Sequence, residues 1–188
     1  MRNVKSPDEV PRRRGESEET YRMKRLLVAL GLKLGFMVDV EEPPDSELGE
    51  LGIRHDVIWY TRPPEWFTRL LKIASLRDDL EPDYRHLIEA KLRLERQIHA
   101  AFEIEGKSKL MTKTMKGDIL NLSKWPYGVI VVRWGREEVR EEGQVKKPVR
   151  NRFERALMEF RKLYGPNNVI IVSFRDVEEL CRSYGITS

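Results

Sequence analysis

Cysteine and long apolar runs are both scarce in this 188-residue sequence. Cys181 is the only cysteine, so an intramolecular disulfide is excluded and a reducing compartment is favoured. No apolar run approaches the roughly 18 residues that a membrane span requires. No apolar stretch follows the first basic residues, as it would in a secretory signal. We therefore expect a cytoplasmic protein without a membrane segment.

Charged residues, by contrast, make up 35% of the chain, with 35 basic and 31 acidic side chains and a net charge of +4. This small excess is compatible with nucleic-acid binding but does not indicate it. Glutamine occurs only twice among many Lys, Arg and Glu, a bias typical of thermophilic proteins. Three consecutive arginines, 12–14, lie in a segment with prolines and a glycine. We predict a disordered basic tail over 1–15 and a single domain over 16–188.

Hydrophobic periodicity predicts alternating strands and helices in this domain. After the capping residue Ser17, apolar side chains recur at helical spacing as far as Gly35. Runs of β-branched and aromatic residues indicate five strands, at 36–40, 55–60, 98–105, 129–134 and 169–174. Further helices are predicted at 112–125, 150–164 and 177–184. This order predicts an α/β fold whose mixed central sheet of about five strands is flanked by helices.

A helical insertion is predicted between the second and third strands, over 63–97, in two pieces that divide near Pro82. Trp66 and Phe67 within it suit either the core or a dimer contact, and we favour the core. A dimer interface and a specificity element are both compatible with the insertion, and the sequence does not decide between them.

Acidic residues on two of the predicted strands suggest a metal site. Glu103 and Glu105 are two residues apart on one strand, so their side chains point to the same face. Asp56 lies near the start of another strand, although Asp is poor in strands. If the two strands pair, Asp56 can meet Glu103. Neighbouring carboxylates repel each other unless a cation lies between them, and oxygen ligands suit Mg²⁺. Each motif alone is typical of a solvated sheet face or a turn, but their combination favours a site.

The chain from Glu16 to Phe174 resembles the PD-(D/E)xK nuclease superfamily, which includes type II restriction enzymes, resolvases and repair nucleases. The family's Asp is matched by Asp56 in His-Asp-Val-Ile-Trp, and its acidic strand by Ala-Phe-Glu-Ile-Glu over 101–105. The family core is a helix, a three-stranded meander, a helix and a strand, in the order predicted here. The resemblance implies a restriction endonuclease-like core and a metal-dependent DNA endonuclease.

The position usually held by lysine in the family departs from the pattern. In the register that begins at Glu103, this position holds Glu105, as in some restriction-type members. A second register, Glu105-Gly106-Lys107, restores the lysine, but Gly106 would interrupt the strand. We prefer the first register because Glu103 continues the apolar strand. His55 replaces the proline of the family's name, at a position that varies.

The resemblance also implies roles for individual residues. Asp56 and Glu103 would bind Mg²⁺ or Mn²⁺ together with the backbone carbonyl of Ile104. The metal would polarise the phosphate and activate a water molecule. Glu105, or Lys107 in the second register, would orient or deprotonate that water.

Further parts of the site are expected outside the two strands. A carboxylate from the first helix often joins such sites in the family, and Glu19 is the candidate. Four lysines are expected to contact DNA phosphates, namely Lys107, Lys109, Lys113 and Lys116. A homodimer is expected, because cutting both strands of a symmetric site calls for two active centres. Two alternatives stay open: a nuclease-fold protein that binds nucleic acid or a partner without cutting, and an unrelated α/β protein with a structural acidic strand.

Overall fold

The computed structural model describes residues 3–41, 54–93, 96–105, 112–133, 149–165 and 168–187. Its strands and helices, numbered along the chain, are β1 (Asn3–Val4), α1 (Glu18–Lys33), β2 (Met37–Val40), β3 (Val57–Thr61), α2 (Glu65–Ser75), α3 (Pro82–Leu92), β4 (Gln97–Glu105), α4 (Thr112–Leu122), β5 (Tyr127–Val132), α5 (Val149–Tyr164), β6 (Val169–Ser173) and α6 (Phe174–Ser183). A short 3-10 helix, Pro7–Glu9, follows β1. Within these ranges, no helix has both the length and the apolar character that crossing a membrane demands.

The strands form one mixed sheet in the order β1-β2-β3-β4-β5-β6. Strands β1 to β4 pair antiparallel, whereas β4, β5 and β6 run parallel. Parallel neighbours need a crossover, and the helices α4 and α5 stand between them in the chain. All five predicted strands are present, and the two-residue β1 adds a sixth at the edge.

Helices cover both faces of this sheet. Alternate residues of a strand point to opposite faces. One face packs against α1 and α6 through residues that include Trp59 and Phe102. The other packs against α4 and α5 through residues that include Ala101 and Ile130. The prediction of an α/β fold with a mixed sheet flanked by helices is confirmed.

Helix α1 approaches the sheet closely at Gly31. A Cβ atom there would lie 2.6 Å from Nε1 of Trp59, so only glycine fits. The same indole N–H donates to the carbonyl oxygen of Leu27 at 3.1 Å. These contacts fix α1 over the antiparallel strands. They thereby also position the side chains that α1 directs toward the start of β3.

The N-terminal segment is part of the fold. The prediction of a disordered tail over 1–15 is wrong for residues 3–15. Strand β1 pairs with β2, and Val4 and Val10 are buried in the core. The hydroxyl of Tyr21 on α1 donates to the carbonyl of Val10 at 3.3 Å. Two buried valines and a strand pairing outweigh the polar, proline-containing composition that suggested disorder.

The predicted insertion forms two helices, α2 and α3, that pack against each other. The interpretation of its aromatic residues as core is wrong for Trp66, which is 67% exposed. No residue of α2 is buried among the described part of the chain. The apolar side of α2 therefore lies at the surface, and it includes Leu70 and Ile73.

Candidate active site

Glu103 and Glu105 stand where β4 emerges from the core. Ala101, two residues earlier, is fully buried on the side of the sheet covered by α4 and α5. Because side chains alternate along a strand, Glu103 and Glu105 share this face. In the parallel pairing with β5 they lie beside Ile130 and Val132. The two carboxylates thus end a row whose earlier members are apolar.

Asp56 lies immediately before β3 and next to the same end of β4. The register that pairs Val57 with Phe102 brings Asp56 beside Glu103. The Asp56 backbone N–H donates to the carbonyl of Phe102 at 3.1 Å. The backbone N–H of Ile104 donates to Oδ2 of Asp56 at 2.7 Å. These two hydrogen bonds hold the Asp56 carboxylate against β4.

His55 orients Glu103. The indole Nε1–H of Trp125 donates to His55 Nε2 at 2.9 Å, so that nitrogen is an acceptor and the ring proton belongs on Nδ1. Nδ1 lies 2.7 Å from Oε1 of Glu103 and donates to it. Burial, and to a lesser extent the charge of Lys124, lowers the pKa of His55 to about 4. The imidazole is therefore a neutral donor at pH 7, and it supplies Glu103 with a hydrogen bond but no positive charge.

The electrostatics of the two carboxylates reflect their burial. Burial raises the pKa of Glu103 well above its ordinary value, and the negative charges of Asp56, Asp118 and Glu105 raise it further. Burial also raises the pKa of Asp56, although the Ile104 N–H and nearby cations oppose this. Such a cluster of buried, mutually repelling carboxylates is typical of a functional site or a metal site.

Asp118 is a fourth carboxylate of the cluster, and the sequence analysis missed it. It comes from α4 and lies within hydrogen-bonding reach of Glu105, to which it can bond when one of the two carboxyl groups is protonated. Burial raises the pKa of Asp118 to about 6, the hydrogen bond to Glu105 opposes the rise, and the charge of Asp56 adds to it. Its Oδ2 atom is buried without a hydrogen-bond partner among the described residues. One signal was available, because Asp118 lies one helical turn before the fully buried Leu122.

Basic residues border the cluster on the side of α1. Nε of Arg13 lies 2.6 Å from Oε2 of Glu41, and its Nη1 lies 3.6 Å from Oδ1 of Asp56. Lys24 of α1 is fully buried and forms ion pairs with Glu16 and Glu41. Glu41 adopts a positive φ of 58°, an uncommon conformation for a residue other than glycine, and its N–H donates to the carbonyl of Asp56 at 3.2 Å. The start of β3 is therefore surrounded by an extended network of ion pairs.

The sequence analysis assigned six further residues to the site, namely Glu19, Ile104, Lys107, Lys109, Lys113 and Lys116. Oε2 of Glu19 lies 2.5 Å from Nη1 of Arg133, and the backbone N–H of Arg133 donates to the carbonyl of Glu105 at 3.1 Å. Ile104 stands between the two glutamates of β4 and contacts Asp56 through its N–H. Lys107 and Lys109 lie outside the described residues. Lys113 and Lys116 lie on α4, in the turns before Asp118, and the structure describes their backbone only.

The donor atoms of the cluster suit a hard divalent cation in their chemistry. Carboxylate oxygens are the ligands that Mg²⁺ prefers in proteins. The unpartnered Oδ2 of Asp118 and the raised pKa of Glu103 both reflect a need for positive charge at this place. Across the described ranges, however, no three His, Cys, Asp or Glu side chains converge as the ligands of one ion. The carboxylates are neighbours, each held by its own hydrogen bonds, and do not form a ready-made set of three ligands.

No protein-family model, curated protein or solved structure matches this chain. Function is therefore inferred from the fold and from the side chains of this site.

Proposed function

We propose that this protein is a metal-dependent endonuclease of the PD-(D/E)xK type that hydrolyses DNA phosphodiester bonds. The observation that carries the proposal is the placement of Asp56 and Glu103 side by side, just before the start of β3 and near the end of β4, with side chains only 13% and 16% exposed. The order α1, antiparallel β2 to β4, α4 and parallel β5 supports a restriction endonuclease-like fold. Glu105 and Asp118 add negative charge to the same place.

In this proposal Asp56 and Glu103 would hold Mg²⁺ or Mn²⁺, with the carbonyl of Ile104 as a further ligand. The ion, when bound, supplies charge for the phosphoryl oxygens and lowers the pKa of water. The Ile104 N–H and the His55 Nδ1–H orient the two carboxylates, because each donates to one of their oxygens. Such supporting hydrogen bonds fix the geometry of metal-binding side chains.

Proton transfer falls to the remaining carboxylates. Glu105 lies within hydrogen-bonding reach of Asp118, whose pKa is raised to about 6, so this pair can take up a proton near neutral pH. In the reacting state both groups would be ionised, so that Glu105 would accept the proton of the attacking water and Asp118 would then share it through the hydrogen bond that this proton forms. A pair of carboxylates with one proton between them performs the role that a single base performs elsewhere.

The proposal includes a homodimer and a DNA-binding surface. Cutting both strands of a duplex requires two active centres, and the helices α2 and α3 expose apolar side chains that a second copy would cover. These are Trp66, Leu70 and Ile73 of α2, Leu76 directly after it, and Tyr84 and Leu87 of α3. Lysines after β4 and on α4 would neutralise phosphates near the carboxylates. Cys181 is a buried free thiol, as a cytoplasmic location would allow.

A second candidate function is nucleic-acid binding without cleavage. The ion pair between Arg13 and Asp56 favours it, since an arginine that neutralises Asp56 takes the place of a metal ion. The glutamate in the lysine position of the family motif also favours it. This candidate predicts a gel shift without a cut.

The test is incubation of the full chain with supercoiled plasmid in Mg²⁺, in Mn²⁺ and in EDTA. The endonuclease proposal predicts nicked and linear DNA with either metal and intact plasmid in EDTA. Retardation of uncut plasmid under all three conditions would establish the binding function instead. Intact, unretarded plasmid would contradict both.

The same assay distinguishes the two registers of the motif. We expect Glu105→Gln to lower the cleavage rate by about 10²–10⁴-fold, because the amide cannot accept the proton of the attacking water. Lys107→Ala is expected to have the smaller effect, through loss of one phosphate contact. The reverse order of the two effects would assign catalysis to the register Glu105-Gly106-Lys107.

A further inference from the structure

The guanidinium of Arg13 lies directly against two carboxylates at the candidate active site, those of Glu41 and Asp56. Its Nε is 2.6 Å from Glu41 and its Nη1 is 3.6 Å from Asp56. The side chain is 49% exposed, so one part of it contacts the cluster and another faces solvent. A cation in this position is accessible to a phosphate that approaches the same carboxylates.

The backbone fixes Arg13 at this place. Residues 13–16 form a turn in which the Glu16 N–H donates to the carbonyl of Arg13 at 3.1 Å. Gly15, at the third position of the turn, has a φ of 78°, which glycine adopts without strain. The Arg13 N–H donates back to Oε2 of Glu16 at 3.2 Å, and Oε1 of Glu16 is 2.5 Å from the buried Nζ of Lys24. The turn is therefore tied to α1 through an ion pair.

The acidic motif on β4 supplies no positive charge to the site. The strand Gln97–Glu105 contains no lysine, and in the preferred register Glu105 stands where the family that the chain resembles has lysine. Phosphodiester cleavage builds up negative charge on the phosphoryl oxygens, and a planar guanidinium can bind two of them at once. We propose that Arg13 binds the scissile phosphate and provides the positive charge that β4 does not. This inference rests on the proposed endonuclease function.

The two contacts of Arg13 differ in strength in a way that suits this role. The Nε contact to Glu41 has hydrogen-bond length, whereas 3.6 Å between Nη1 and Asp56 is too long for one. The outer edge of the guanidinium can turn from Asp56 to a phosphate oxygen while Nε stays on Glu41. Asp56 then becomes available to a metal ion, and Arg13 keeps its anchor.

The experiment compares three variants of the full chain, Arg13→Ala, Arg13→Lys and Arg14→Ala. Arg14 is the matched control, because it is the exposed neighbour and carries the same charge. Single-turnover cleavage of plasmid is measured in Mg²⁺, and DNA affinity is measured in Ca²⁺ as a function of salt. The melting temperature of each variant reports on folding.

Arg13→Ala is expected to slow cleavage by about 10²-fold or more, as loss of one preorganised donor does elsewhere. It should also lower the slope of log affinity against log salt by about 0.9, the value for one phosphate contact. Arg13→Lys should recover part of the rate, because it keeps the charge but not the paired N–H groups. Arg14→Ala should cleave within about twofold of the wild type, as expected for an exposed surface substitution.

Three results would overturn the assignment. Faster cleavage by Arg13→Ala would show that Arg13 inhibits the enzyme by occupying Asp56. Unchanged cleavage would remove Arg13 from the site and leave the endonuclease proposal intact. A wild-type protein that does not cleave would overturn the proposed function, and the role of Arg13 in it. If Arg13→Ala melts at a much lower temperature, the partial recovery in Arg13→Lys and the salt slope decide between a structural and a phosphate-binding role.

Discussion

Asp56→Asn is expected to abolish plasmid cleavage, with a loss of about 10³-fold or more. The substitution removes a carboxylate charge from the centre of the site but keeps the shape of the side chain. A bound metal ion stabilises phosphoryl charge by several kcal/mol, and about 4 kcal/mol corresponds to a factor of 10³ in rate. The rate of disappearance of supercoiled plasmid in excess enzyme measures the loss directly.

Folding should survive this substitution. The side-chain oxygen of asparagine can still accept the N–H of Ile104, the bond that holds Asp56 against β4. Asp79→Asn is the matched control, because Asp79 is exposed and pairs only locally, with Arg77 at 2.7 Å. That control should cleave like the wild type. An Asp56→Asn protein that still cuts at a tenth of the wild-type rate or faster would exclude Asp56 as a metal ligand.

The strand positions of the candidate site were predictable from sequence. Period-two alternation indicated that Glu103 and Glu105 share a face, and the five strands indicated the mixed sheet. The apolar run after Asp56 gave its place at the start of β3. Each of these features depends on residues that lie within a few positions of one another in the chain. They can therefore be predicted from a single sequence.

Other members of the cluster depend on tertiary contacts and were not predictable in this way. Asp118 joins Glu105 only because α4 crosses over the end of β4, and no local pattern fixes that crossing. His55 entered the sequence analysis only as the residue before Asp56, and its role as a neutral donor to Glu103 depends on Trp125, which is 70 residues away in sequence. In both cases the residue type was visible but its partner was not.

The structure of the N-terminal segment could not be predicted for a different reason. Its prolines, arginines and low hydrophobicity are typical of a disordered tail, yet Val4 and Val10 are buried and Gly15 forms a turn. Two buried side chains and one edge-strand pairing are too weak a signal to detect by periodicity. Glu19 stays a prediction: it pairs with Arg133, whose backbone N–H donates to the carbonyl of Glu105.

Glu103→Gln is expected to abolish cleavage and at the same time to stabilise the protein without metal at pH 8. The pKa of Glu103 is raised in the folded state, mainly by burial and then by Asp56, Asp118 and Glu105. A group with a raised folded-state pKa contributes most to stability below its unfolded pKa of about 4.3, and this contribution is lost as the pH rises through the folded value. Folding at pH 8 therefore requires the wild type either to bury the Glu103 charge or to take up a proton there, and glutamine requires neither. A gain of about 1 kcal/mol would raise the melting temperature by about 2–4 °C.

Urea unfolding of both proteins between pH 4 and pH 8, in EDTA, measures this difference. The wild type should lose stability relative to Glu103→Gln as the pH rises, whereas Glu65→Gln, at an exposed position of α2, should follow the wild type. Mg²⁺ should then stabilise the wild type but not Glu103→Gln, because only a protein that binds the ion gains from it. A variant that is more stable yet inactive cannot owe its inactivity to misfolding. If Glu103→Gln is instead less stable at pH 8, the fold itself compensates the charge of Glu103, and the need for a metal ion at this carboxylate disappears.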